Sequence, residues 1–141
     1  MPDILQSIHI DAPASQVRAS LDSIDGLAAW WTRTTSGDAS PGGHIDFRFG
    51  EHVTRVHVDA VASDRVHWTV ADSNPDWDGT RLTFDLEPAG ERTLLTFGHR
   101  GWKEANGFFG HCSMKWATFL LSLRSQVETG RGRPFPDDLA I

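Results

Sequence analysis

The sequence predicts an α+β fold: a curved antiparallel sheet of six strands, two short helices, and a long C-terminal helix packed across the sheet. Three observations lead there. From His44 to Arg100, apolar residues recur at period two between short turn signals. From about Asn106 to Glu128 the period becomes helical, with Phe109, Cys112, Trp116, Leu120, Leu123 and Val127 spaced 3-4-4-3-4 and Phe119 widening the stripe. A long helix with one broad apolar face needs a sheet to lie on. The third observation is the placement of the large rings: Trp30-Trp31 close a short helical stretch, Trp77 sits in a Pro/Gly/Asp loop, and Trp102 follows His99-Arg100-Gly101. Cores draw mostly on the middles of strands and helices, so rings at element ends read as the walls of a cavity.

The elements follow in chain order. Ile4, Ile8 and Ile10 share one face at period two, with Gln6 as the exception, which predicts a first strand buried on one side. Pro13 near a helix start and Val17/Leu21 four apart predict a short helix through about Asp22, and Gly26 to Trp31 makes a second. Turn formers without an apolar period make Thr35 to Gly43 a loop. With Gly50-Glu51 as a two-residue hairpin loop, Phe49 faces His52, Phe47 faces Thr54 and Ile45 faces Val56, while Asp46 faces Arg55 and His44 faces His57 on the other side. The opposite-charge pair supports that register. Ala62-Ser63-Asp64 as a three-residue turn puts Val66, Trp68 and Val70 inside. A four-residue loop, Pro88 to Glu91, sets Glu87 opposite Arg92, Leu86 opposite Thr93, Phe84 opposite Leu95, Leu82 opposite Phe97 and Thr80 opposite His99, which places His99 on the buried face. Gly130 terminates the long helix.

The 141 residues contain no repeat and no low-complexity linker, so one domain, residues 1–141, is expected, burying about two-thirds of its unfolded surface. The single cysteine, Cys112, cannot make an internal disulfide, and Met1-Pro2-Asp3-Ile4 has neither a basic nor an apolar leader pattern; a reduced cytoplasmic protein, monomer or homodimer, is expected. A net charge of -6 with scattered basic residues argues against nucleic acid as a partner, and no stretch is long enough for integral membrane association.

The motifs then acquire a family. Ile8-His9-Ile10-Asp11-Ala12-Pro13 opens the pattern, Ala29-Trp30-Trp31 follows the second helix, and Pro41-Gly42-Gly43 leads into Phe47-x-Phe49. Trp77-Asp78-Gly79-Thr80 precedes Leu82-x-Phe84, then comes Thr93-x-Leu95-x-Phe97-x-His99-x-Gly101, with Trp116 and Gly130 through Pro134 completing it. In this order the motifs resemble the START-like (SRPBCC) superfamily, and within it the branch named after the Aha-type activators of the heat-shock-protein ATPase. The resemblance covers essentially the whole chain. It implies the helix-grip fold and a cavity between sheet and C-terminal helix, used across the superfamily for lipids, sterols, polyketides and plant hormones, with catalysis in a minority. Eukaryotic activators carry an additional N-terminal domain for much of their chaperone contact, and this chain is expected to have no room for one.

The residues expected around such a cavity are Trp31, Trp68, Trp77, Phe84, His99, Trp102, Phe108, Phe109, Cys112 and Trp116. Trp68, Phe84, Phe97 and Trp116 sit mid-element and equally suit core packing, whereas Trp31, Trp77 and Trp102 either plug the end of the core or wall the cavity, with Trp77 as its gate. His99 is either held by Thr80 or a backbone carbonyl, or is the one interior polar anchor for a ligand, neutral at pH 7. Cys112, without an activating base, reads as a small buried hydrophobe. No His-x3-His or Cys-x2-Cys pair, Gly-x-Ser-x-Gly elbow or phosphate-binding glycine motif occurs, so no metal, no cofactor and no catalytic residue is expected. The expected function is the binding of a hydrophobic or amphipathic small molecule. Two alternatives remain open: a small cyclase or hydrolase with His99 as acid-base group, and a protein-interaction module resembling the chaperone activator.

Overall fold

The computed structural model describes residues 1–141. The elements are β1 (Ile4–Ile10), α1 (Ala14–Ala19), α2 (Ile24–Ala28), β2 (Thr34–Gly37), β3 (His44–Phe49), β4 (His52–Ala62), β5 (Arg65–Asp72), β6 (Arg81–Ala89), β7 (Arg92–Arg100) and α3 (Gly107–Thr129). One sheet runs in the order β1-β7-β6-β5-β4-β3-β2, and the long helix lies across it in the helix-grip arrangement. The sheet therefore has seven strands where six are predicted. The additional strand is β2, inside the stretch read as a loop. Its side chains are polar and mostly exposed, so no apolar period marks it; pairing of Thr34 with Arg48 through Gly37 with Ile45 makes it a strand. Thr32 fixes its approach by donating its hydroxyl to the Arg48 carbonyl at 2.6 Å.

The β3–β4 hairpin has the predicted register at every pair. The β4–β5 turn is two residues, Ser63-Asp64, rather than three. Val66, Trp68 and Val70 still face inward, because a bulge between Val58 and Ala60 takes up the extra residue. The β6–β7 turn is also two residues, Gly90-Glu91, so Phe84 pairs with Phe97, Leu82 with His99 and Leu86 with Leu95, not the partners expected from a four-residue loop. A slip of two residues preserves the side on which each residue lies, so His99 remains on the buried face. Pro88 is tolerated within β6 because no β5 residue pairs beyond Asp85, and on that side the ladder asks nothing of the missing N–H.

The core lies between the concave face of the sheet and α3. Ile45, Phe47, Val56, Val58, Trp68, Leu82, Phe84, Leu95 and Phe97 are fully buried against Trp116, Phe119, Leu120 and Leu123 of the helix. Gln6, the polar residue on the apolar face of β1, is explained by the helix: its amide donates to the Ser113 carbonyl at 2.8 Å. Asn106 caps α3 by accepting from the Phe109 N–H at 2.9 Å, and Gly130, at φ 83°, ends it.

Candidate functional site

The site is built where one end of α3 leaves the sheet. Trp31 follows the last turn of α2 and meets Trp116 of α3 with ring centroids 4.9 Å apart. Trp77 stacks on Trp116 at 6.0 Å. The loop holding Trp77 is a tight polar turn: the Asn74 side chain accepts from the backbone N–H groups of Asp76 and Trp77 at 3.1 and 3.0 Å, and Asp78 accepts from Ser73 N–H at 2.7 Å. The three indoles do not close over one another, and between them, the tip of β3 and the C-terminal segment lies a cavity of about 410 Å³.

One wall of the cavity is aromatic, from Trp31, Trp77, Trp116, Phe119, Phe49, Phe108 and Phe135, with Cys112 among them. The rest of the lining is polar. Thr54 and Ser73 share a hydroxyl–hydroxyl bond of 2.7 Å, and His52 Nε2 lies 3.1 Å from the same Ser73 Oγ. His111, Asn74, Lys115 and Asp138 complete the lining, the last two as an ion pair.

Of the residues expected at a cavity, Trp31, Trp77, Phe108, Cys112 and Trp116 line it. Trp68, Phe84, His99, Trp102 and Phe109 do not. Trp68 and Phe84 lie beneath Trp31, edge to face with each other at 5.2 Å, in the closed core. Trp102 is fully buried between His99, at 4.9 Å, and Phe109, at 5.2 Å. Phe49 and Phe119 were legible as apolar but not as cavity-lining. Phe135 and Asp138 carry no local signal at all, because the last segment is brought in by contacts distant in sequence, among them a bridge between Phe135 and Thr32 and Arg133 N–H donating to Ser122. His52, Thr54 and Ser73 converge only because the β3–β4 turn and the exit of β5 lie at the same end of the sheet.

His99 is buried behind the cavity and does not line it. The Trp116 indole can only donate, and its N–H reaches His99 Nδ1 at 3.2 Å, so the proton of the neutral ring sits on Nε2. That N–H faces Thr80 Oγ1 at 2.8 Å, and Thr80 in turn donates to the Trp77 carbonyl at 2.5 Å. Both ring nitrogens are engaged, and desolvation lowers the pKa from 6.5 to about 3. The chain Trp116, His99, Thr80, Trp77 thus fixes two cavity walls from behind. Cys112 lies in the wall itself; burial pushes its thiol up to about 11, against a smaller opposing pull from the Trp77 indole.

The family model for activator of Hsp90 ATPase homolog 1-like proteins matches residues 11–128. Among solved structures, the Aha1 dimer from Colwellia psychrerythraea is similar over 94% of this chain and 100% of its own, at 37% identity and a TM-score of 0.86. A Staphylococcus saprophyticus protein is similar over 93% and 95% of the two chains, at 17% identity and TM-score 0.78. A Bacillus halodurans protein is similar over 91% and 98%, at 23% identity and TM-score 0.76. The latter two likenesses show the fold. A search of the curated proteins finds no match. No helix of the chain is long and apolar enough to cross a membrane.

Proposed function

This chain belongs to the family of activator of Hsp90 ATPase homolog 1-like proteins, and on that premise we propose that it binds a hydrophobic or amphipathic small molecule in the cavity between its sheet and C-terminal helix. The observation that carries the reading is the aromatic-walled cavity of about 410 Å³, within the range of about 300–1,000 Å³ usual for small-molecule sites. An apolar wall with a few polar groups in the rest of the lining supports an amphipathic occupant, the wall supplying affinity and the polar groups orientation. We read residues 1–141 as one domain, since a single sheet and a single core run through it. Trp31, Trp77, Phe108, Cys112 and Trp116 are the sequence-expected residues that would touch the ligand; Trp68, Phe84, His99, Trp102 and Phe109 would support it from behind.

Native mass spectrometry of protein purified from its own host, with extraction of whatever remains bound, tests the reading directly. Three lining tryptophans make intrinsic fluorescence a second readout: an amphipathic probe such as 1-anilinonaphthalene-8-sulfonate should quench it, and Cys112→Phe, which grows a ring into the cavity, should abolish the effect while the protein stays folded. Quenching that persists in Cys112→Phe would reject this cavity as the site. The likeness to the Colwellia protein supports two further readings. One is a homodimer, checked by sedimentation velocity. The other is docking of the outer sheet face to a chaperone ATPase, checked by whether the protein stimulates ATP hydrolysis by an Hsp90 partner.

A further inference from the structure

We infer that the ligand of this cavity is an amphipathic carboxylic acid, whose carboxylate takes the place of Asp138 beside Lys115. The inference rests on the cavity-binding reading above and adds the charge of the occupant.

Lys115 is the one lysine or arginine in the cavity wall, and Asp138 is the one carboxylate. The two form an ion pair whose side chains are only 25% and 11% exposed. Lys115 also donates to the Leu139 carbonyl at 2.5 Å, and its ammonium lies over the Phe119 ring, 5.3 Å from the centroid. An ammonium withdrawn from water to this degree needs an anion. In a chain of net charge -6, counted with histidines neutral, the wall sets one lysine against a single carboxylate, and that pair leaves it without net charge. That single carboxylate comes from neither the sheet nor the helix. It belongs to the segment after Pro136, whose further attachments are the surface ion pair of Asp137 with Arg33 at 2.5 Å, the Arg133 guanidinium donating to the Asp137 carbonyl at 3.3 Å, and the Leu139 carbonyl accepting from Lys115.

Asp138 therefore marks where a carboxylate meets Lys115, and it does so from a segment outside the sheet and the helices. Exchanging it for a ligand carboxylate leaves the ammonium paired throughout, so an acid competes with Asp138 for Lys115 and adds to that pair the burial of its apolar body against the rings. A neutral ligand gains nothing from Lys115. Displacement frees Asp138 and loosens the segment that carries it, so occupancy is reported at the chain's C-terminal end.

The test compares decanoate with decan-1-ol, which share an apolar body, by tryptophan quenching. Wild type should prefer decanoate by about tenfold, as expected for a hydrogen-bonded charge pair. Lys115→Gln should bind the two equally while retaining the wild-type affinity for decanol, which shows that its cavity is intact, and Lys115→Arg should restore the preference. Asp138→Asn should bind decanoate about threefold more tightly, with decanol unchanged, because the internal competitor is gone. Amide exchange over residues 133–141 should accelerate with decanoate and not with decanol. Equal binding of the two by wild type, a preference that survives in Lys115→Gln, or weaker decanoate binding by Asp138→Asn would overturn the inference and leave the cavity reading standing. Binding of neither compound would sink both.

Discussion

Protonating His99 would set a second N–H against the Trp116 indole N–H across 3.2 Å, two donors with no acceptor between them, in a site closed to water. Geometry and desolvation thus act in the same direction. The folded pKa lies at about 3 against an ordinary 6.5, so between those values the unfolded chain takes up a proton that the native state refuses. The contribution of this residue is fully present above 6.5 and declines as pH falls toward 3, by at most about 1.4 kcal/mol per pH unit. His99→Phe should flatten that dependence in urea titrations between pH 4 and 7. At pH 7 the same variant should lose about 1–3 kcal/mol, because it leaves the Trp116 N–H without an acceptor. Its affinity for a cavity ligand should not change, since the ring does not line the cavity; a selective loss of affinity would show that the residue acts on the ligand after all. Cys112 gives a second residue-scale expectation. With its thiol pushed up to about 11, it should react slowly with iodoacetamide at pH 8 and more rapidly once urea unfolds the protein, followed by mass spectrometry.

Between elements, single polar contacts hold parts that the apolar pattern alone would leave loose. Ser122 lies on the buried stripe of α3, donating to the Trp30 carbonyl at 2.8 Å and accepting from Arg133 N–H at 2.7 Å. It joins the helix to the segment after α2 and to the C-terminal segment at once. Ser122→Ala orphans both backbone groups and should cost about 1–3 kcal/mol in chemical denaturation; a neutral result would mean that water replaces the hydroxyl. The two Gly-Glu turns make a second case. Gly50 and Gly90 take φ of 66° and 68°, the left-handed region that a two-residue hairpin with glycine first requires. Gly90→Ala meets nothing within 4 Å, so any loss, expected at about 1–2 kcal/mol, reports backbone strain alone. The same dipeptide identifies both turns. The second turn is shorter than the expected four-residue loop because β6 has no β5 partner beyond Asp85, which leaves Pro88 free to pair with Thr93.

At the scale of the whole molecule, Trp116 is the residue where sheet, helix and cavity meet. Its ring lies 4.5 Å from Phe97 on β7, 4.9 Å from Trp31 and 6.0 Å from Trp77, and its N–H holds His99. Trp116→Ala should destabilise by about 3–5 kcal/mol, the usual effect of deleting a buried ring. Trp77 is partly exposed and stands on a loop whose turn is made by Asn74 and Asp78 rather than by the indole, so Trp77→Ala should cost markedly less. Thermal melting of the two variants checks the contrast, and equal losses would make Trp77 ordinary packing rather than a wall of the cavity.

The amino-acid sequence by itself determined which face of each long element is buried, because period two and period 3.6 are imposed by backbone geometry and survive errors of turn length: a two-residue slip in β6–β7 changed every partner and no side. It likewise determined the family, which rests on the order of short motifs. Tertiary structure alone decided which aromatics face space and which face one another. Trp31 and Trp68 both lie on the buried side, 6.4 Å apart and parallel, yet only Trp31 borders the cavity, since the packing of α3 and the return of the C-terminal segment set the boundary. It also decided the charge of that boundary. Lys115 and Asp138 are 23 positions apart, one on a helix and one beyond it, and nothing local in either stretch pairs them; only the packed chain brings them together at a partly buried site.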